Sequence, residues 1–254
     1  MSSFFTGADA YDRFMGRYSV PLAPGFADLA SVTAGLDVLD VGCGPGALTG
    51  ELIARVGTDH VVAVDPSAPF VDAARDRFPG VDVRLASAES LPFADDAFDV
   101  SLAQLVVHFM TAPLAGLREM ARVTRPGGVV AACVWDHAGG RGPLSPLWRV
   151  AAELDGGVID ESARPGSREG DLARLFDGAG LGDVETGELA VEVVHPTFDA
   201  WWEPYELGVG PAGAYVSGLP PERRDALREA CRRSLPEPPF TIAAVAWTAR
   251  GRPS

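Results

Sequence analysis

The chain has 254 residues, 47% of them hydrophobic, and a formal net charge of −14. That length suits one globular domain with a substantial core, and the acidity disfavours nucleic acid as a partner, because such binding rests on neutralising phosphates. All 21 basic residues are arginine, and lysine and asparagine are missing; a P-loop lysine, a Schiff-base lysine, a Tyr-x-x-x-Lys pair and an Asn-Pro-Pro-Tyr motif are therefore excluded.

Taken in chain order, Met1–Phe5 lacks the basic start and long apolar run of a leader. Tyr11–Tyr18 is a short amphipathic segment. An apolar run at Leu36–Val41 predicts a strand, the glycine-rich turn Gly42-Cys43-Gly44-Pro45-Gly46 follows, and Ala47–Val56 has helical periodicity. Further strands are expected at His60–Val64, Val81–Leu85, Phe98–Ala103 and Gly128–Val134, with helices at Ala68–Phe78, Leu114–Val123, Leu144–Leu154 and Asp171–Gly178. Asp183–Val194 alternates like a half-exposed strand, and Phe240–Ala249 reads as the final one. This alternation predicts an α/β fold with a mostly parallel sheet and crossover helices. Thr197–Leu235 is too long for a hairpin turn; it carries Trp201, Trp202, Tyr205 and a helix at Pro221–Ser234. No apolar stretch reaches the length of a membrane span. Cys43, Cys133 and Cys231 have no metal-ligand spacing, so a cytoplasmic protein with reduced thiols, no membrane association and no metal is expected. Oligomeric state leaves no mark in the sequence.

The glycine turn carries the chemistry. Glycines here let the backbone turn tightly and approach a ligand, and the helix start that follows offers free N–H groups. Gly42-x-Gly44-x-Gly46 suits S-adenosyl-L-methionine, whereas Gly42-x-Gly44-x-x-Ala47 also fits the dinucleotide fingerprint. Asp40, a carboxylate at the strand end for a cationic amino-acid moiety, and Pro45, which stiffens the turn, favour the methyl donor. Asp65 ends the next strand about twenty residues on, where an acid accepts from ribose hydroxyls. Gln104 closes the fourth strand, on the edge where open α/β sheets bind ligands.

With these residues in view, the chain resembles the class I S-adenosylmethionine-dependent methyltransferases, specifically the small-molecule group around ubiquinone/menaquinone-type enzymes (methyltransferase type 11). Asp65-x-Ser67-x-x-Phe70-Val71-x-x-Ala74-Arg75 is similar to that family's D-x-S-x-x-M-L-x-x-A-R, with Phe70 in place of methionine. Ser87-Ala88-Glu89-Ser90-Leu91-Pro92-Phe93 through Phe98-Asp99 resembles its DAE-x-LPF-x-D-x-x-FD segment, with Ser87 where the family has an acid. Leu105–Phe109 resembles L-x-L-H-H, and Glu119 to Gly128 resembles E-x-x-RVLKPGG.

The resemblance implies a Rossmann-like seven-stranded sheet with helices on both faces, an antiparallel last strand and a helical lid before it. As one domain, 1–30 would cover the cofactor, 31–196 and 236–254 would form the core sheet, and 197–235 the lid. It further implies cofactor contacts from Tyr11, Met15 and Arg17, from Gly42, Cys43 and Gly44, from Pro66, Ser67 and Phe70, from Ser87, Ala88 and Glu89, and from Gln104 and Leu105.

Methyl transfer from a sulfonium is an in-line displacement that needs chiefly alignment. A base matters when the acceptor must lose a proton. His108 and His137 follow the fourth and fifth strands and are the candidates for that role, whereas His60 and His195 read as structural or exposed. Trp135, Trp201, Trp202 and Tyr205 are expected to line a site for a small, apolar or aromatic acceptor. Two alternatives remain: a non-catalytic adenosyl-cofactor-binding protein of the same fold, and a nicotinamide-dependent oxidoreductase.

Overall fold

The computed structural model describes residues 7–253; the Met1–Phe5 expectation lies outside the described residues. Helices α1 (Ala8–Tyr11) and α2 (Arg17–Leu29) are joined by one wide turn, Asp12–Gly16. Then come β1 (Val38–Val41), α3 (Ala47–Val56), β2 (Val61–Asp65), α4 (Ala68–Arg77), β3 (Asp82–Leu85), β4 (Phe98–Gln104), α5 (Pro113–Val123) and β5 (Thr124–Trp135). After these follow α6 (Ser145–Leu154), α7 (Asp171–Ala179), β6 (Gly182–His195), the three helices α8 (Phe198–Glu206), α9 (Gly210–Gly218) and α10 (Pro221–Ser234), and β7 (Phe240–Arg252).

The strands form one seven-stranded sheet in the order β3-β2-β1-β4-β5-β7-β6. The first five run parallel, and β7 is antiparallel to both β5 and β6. All four residues of β1 are buried, as expected for a central strand covered by helices on both faces. Alternation sends neighbours to opposite layers. Val38, Leu102 and Cys133 join a core with Tyr18, Leu22 and Phe26 of α2 and the tryptophans of α8. Leu39, Ala103 and Val130 join another with Leu117, Met120 and Phe176. The edge strand β6 is mostly exposed, and Glu185, Glu188 and Glu192 on it discourage pairing with another chain.

One strand starts earlier than its sequence predicts. β5 begins at Thr124, because Thr124 pairs with Phe98 across a register shift between Phe98 and Val100. Pro126-Gly127 sits inside that irregularity, with Gly127 at φ 74°. Gly128 is packed so closely that a Cβ there would lie 2.5 Å from the Asp99 carbonyl oxygen. Pro-Gly-Gly is therefore a bulge within the strand.

Candidate active site

The carboxyl ends of β1, β2, β4 and β5 converge, and each hands its chain to a turn bearing candidate residues. Past the end of β1 the turn stays tied to β2: Gly42 and Cys43 donate to the Val64 carbonyl at 2.7 and 3.0 Å. Gly42, Gly44 and Gly46 all have positive φ, 73°, 54° and 98°, a region costly for residues with a Cβ. At Gly42 a Cβ would also lie 2.6 Å from two methyl carbons of Val106.

Asp65 holds this turn from the neighbouring strand. It accepts from Gly44 N at 2.9 Å and from Ser67 N at 2.8 Å, one bond per oxygen. Burial pushes its carboxyl up to about 6, against the lowering by those two backbone donors. Asp40 is 1% exposed and accepts from the Thr49 hydroxyl at 2.7 Å. Burial drives it up to about 7, with the nearby Asp65 charge adding to the rise.

Beside the turn opens a cleft of about 360 Å³ lined by Tyr11, Gly42, Gly44, Asp65, Pro66, Ser67, Phe70, Gln104, Leu105, Val106, Phe109 and Arg164. A recess behind the turn adds Ser19, Asp40 and Cys43. Tyr11 packs edge-on against Phe70, ring centroids 5.3 Å apart. Gln104 donates its amide to Ser19 O at 3.0 Å, yet its own carbonyl oxygen, the Ser19 hydroxyl and the Ser67 hydroxyl are buried without a partner. Buried polar atoms left in this state mark places a polar ligand satisfies. An adenosyl cofactor, with ribose hydroxyls and an amino-acid tail, supplies such groups, so the donor set fits S-adenosyl-L-methionine.

A second, much tighter pocket adjoins this cleft, and Tyr11, Leu105 and Phe109 line both. Leu105 adopts φ 62°, unusual for a branched side chain, and is held there by its N–H to Cys133 O at 2.9 Å. Phe14, Met15, Trp135, Leu144 and Val209 make the walls largely apolar, and His108, His137 and Glu161 form the polar end. The two imidazole rings meet edge to face with centroids 5.6 Å apart. Burial drives both below the ordinary histidine value, His137 to about 4, so both are neutral at neutral pH. Burial raises the Glu161 carboxyl to about 7; it accepts from Trp148 Nε1 at 3.4 Å.

Several candidate residues stand elsewhere than the sequence suggests. Met15 lines the second pocket and not the cleft. Arg17 donates to the carbonyls of Phe14, Ala200 and Trp201, tying α2 to α8 instead of facing a ligand carboxylate. Trp201, Trp202 and Tyr205 are fully buried; they pack on one another and on Phe198 and Phe14 as core, because the amphipathic face of α8 points at the sheet. Ser87, Ala88 and Glu89 do not line the cleft. The Glu89 carboxylate accepts from Ser87 and from the N–H groups of Thr111 and Ala112, anchoring the loop before α5. His195 is buried against the Tyr18 hydroxyl at 3.0 Å, and His60 pairs with Asp37 at the surface. Glu161 and Arg164 escape sequence reading altogether: they sit in an irregular loop with no periodicity or motif. Arg164 lies over the Phe109 ring and donates to His108 O at 3.2 Å.

Comparison with known proteins gives the family. Residues 39–132 match the family described as "Methyltransferase domain". A demethylmenaquinone methyltransferase of Paenarthrobacter aurescens is 37% identical over 185 residues, covering 66% of this chain and 70% of that protein. A malonyl-[acyl-carrier protein] O-methyltransferase of Pectobacterium atrosepticum is 33% identical over 179 residues, 64% of this chain and 66% of its own. Among solved structures, a methyltransferase-like protein of Bacillus halodurans has the same fold, with TM-score 0.58 at 17% identity over 91% of this chain and 97% of that one. A glycine turn braced by Asp65, open strand ends and a relative of this identity and coverage together place the chain in the class I S-adenosylmethionine-dependent methyltransferases.

Proposed function

We propose that the protein transfers the methyl group of S-adenosyl-L-methionine to a small, largely apolar or aromatic acceptor held in the second pocket. The observation that carries this reading is the shared wall: Tyr11, Leu105 and Phe109 border both cavities, so a cofactor in one can present its methyl group to a molecule in the other.

In this reading the ribose hydroxyls would donate to Asp65, the adenine would lie along Pro66 and Phe70, and the amino-acid tail would reach Gln104 and the recess at Asp40. The ammonium of that tail would donate to the partnerless Gln104 oxygen, and its positive charge favours the ionised form of Asp40. The acceptor's nucleophilic atom sits at the polar end of its pocket, beside His108 and His137. A neutral imidazole there can take the proton of a hydroxyl acceptor. S-adenosyl-L-methionine, when bound, would supply an activated methyl group, its sulfur leaving as a neutral thioether as the acceptor's lone pair takes the carbon. Apolar walls exclude water and hold a ring or chain in line with the methyl group.

The two named relatives act on different acceptors, so the pocket and not the family must choose. Met15, Trp135, Leu144 and Val209 favour an apolar body, each Å² of apolar surface they cover contributing about 25 cal/mol before entropy costs. The test is turnover against a panel of small phenols, quinols and carboxylic acids, read as S-adenosylhomocysteine released. Turnover of an apolar or aromatic acceptor, lost on filling the pocket with Val209→Trp, supports the assignment. Binding of NAD in preference to S-adenosylhomocysteine would overturn it.

A further inference from the structure

His108, His137 and Glu161 come from three separate segments, the turn after β4, the turn after β5 and the loop after α6. They are 4%, 9% and 3% exposed. One ligand atom from each lies within 4.8 Å of the other two. Yet Nδ1 of His108 and Nε2 of His137 have no hydrogen-bond partner. Three buried donors of electron pairs that converge without bonding to one another leave a space suited to a shared electrophile.

We propose that these three side chains hold a divalent transition-metal ion of the zinc type at the polar end of the acceptor pocket. Two imidazoles and one carboxylate form a donor set such ions favour, and three protein ligands leave a fourth position open, the pattern of reactive rather than structural sites. Metal–ligand bonds near 2.1 Å place tetrahedral ligands roughly 3.4 Å apart, so the cluster contracts by at most about 1.4 Å on loading. Trp148 Nε1, donating to Glu161 at 3.4 Å, orients the carboxylate as outer-shell partners do. The ligands line the same pocket as Leu105 and Phe109, so the open position faces the space the acceptor enters.

The inference rests on the reading above and deepens it: the ion, in place of a ring nitrogen, meets the acceptor atom. A dication with a single carboxylate keeps one net positive charge, which selects an acceptor that binds as an oxygen or sulfur anion, a phenolate, enolate or thiolate. Coordination itself acidifies such a group; its proton passes to solvent, and no electrons are exchanged with the ion.

The test uses the full-length protein stripped with a chelator and titrated calorimetrically with zinc chloride, then with cobalt chloride to read the ligand-field absorption of a four-coordinate site. One equivalent is expected to bind, with His108→Ala, His137→Ala and Glu161→Gln each weakening it by about 100-fold or more, the upper end of what even outer-shell changes cost. Glu161→Gln keeps the side-chain volume, and circular dichroism of each variant checks that it is folded. Absence of stoichiometric binding in the native protein overturns the proposal, as does undiminished binding in folded Glu161→Gln. S-adenosylhomocysteine binding, measured on the stripped protein, reports separately on the cofactor site: its loss would indict the methyltransferase reading, whereas its retention without metal binding would indict the metal alone.

Discussion

Replacing Asp65 with alanine isolates the strongest polar contact the cofactor is expected to make. Each carboxylate oxygen already accepts one backbone N–H, from Gly44 at 2.9 Å and from Ser67 at 2.8 Å. Each keeps one lone-pair direction for the cleft, which matches the two hydroxyls of a ribose. Losing two charge-assisted bonds of roughly 1.5–3 kcal/mol each, short of full additivity, weakens binding by about 2–4 kcal/mol. That corresponds to a rise in Kd of roughly 30- to 1000-fold. Folding responds to two opposed effects. The turn loses an acceptor for two N–H groups, at about 1–3 kcal/mol each. Against this, the variant no longer carries a buried charge. The displacement of Asp65 from 3.8 to about 6, at 1.36 kcal/mol per pH unit, puts the cost of that charge at about 3 kcal/mol at neutral pH. The net change in stability should therefore lie between a gain of about 1 and a loss of about 3 kcal/mol. Calorimetric titration with S-adenosylhomocysteine reads the first quantity and urea unfolding the second. A Kd within about threefold of the native value, in a folded variant, would show that the ribose does not reach this carboxylate.

Three further outcomes are expected. Asp40 and Asp65 have folded values of about 7 and about 6, both above the unfolded 3.8; their contribution to the stability of the cofactor-free protein is therefore full below pH 3.8 and lost as pH rises through 6 to 7. Cofactor affinity should move the opposite way, strengthening from pH 5.5 to 8, and titrations in buffers of differing ionisation enthalpy should show proton release; a flat profile would mean that neither acid meets the ligand. Gly42→Ala places a Cβ 2.6 Å from the Val106 methyl carbons at φ 73°, so S-adenosylhomocysteine binding should weaken by more than about tenfold, a cost of at least 1.4 kcal/mol; near-native affinity would mean that the turn does not cradle the ligand. Trp201→Ala should cost about 3–5 kcal/mol in unfolding experiments, as for a fully buried aromatic, with cofactor affinity near native in the folded fraction; an acceptor KM effect without lost stability would return Trp201 to the pocket wall.

How far the sequence speaks depends on whether the needed physics is local. Gly42, Gly44 and Gly46 are required by positive φ, a property of single residues, and the turn is legible on that account. The elements are legible too, since Ala47–Val56 and Pro221–Ser234 carry their helical period in consecutive residues. Direction is another matter. The tryptophans of α8 are aromatic whether they face a ligand or the core, and only the packing of α8 on α9, β6 and the Asp12–Gly16 turn decides for the core. Arg17 is likewise an arginine near the site, but the carbonyls of Ala200 and Trp201, distant in sequence, claim its donors. Glu161 is the extreme case: it lies in a loop without periodicity, and only the closing of the chain brings it to two histidines.

The two cavities are built on different principles, and this bears on how the protein chooses its acceptor. The cofactor cleft depends on backbone: the Val64 carbonyl, the Gly44 and Ser67 N–H groups and three left-handed glycines, all on the ends of adjacent parallel strands. Few substitutions there keep the geometry. The second pocket depends on side chains from Met15, Trp135, Leu144 and Val209, none of which braces the turn. Its walls can therefore change in size and polarity while Asp65 and Gly42 stay as they are. Arg17 couples the parts: by holding α2 to the Ala200 and Trp201 carbonyls of α8, it fixes the segment that carries Tyr11 and Met15 against the cap. Tyr11 walls both cavities, so a substitution there should be felt in both.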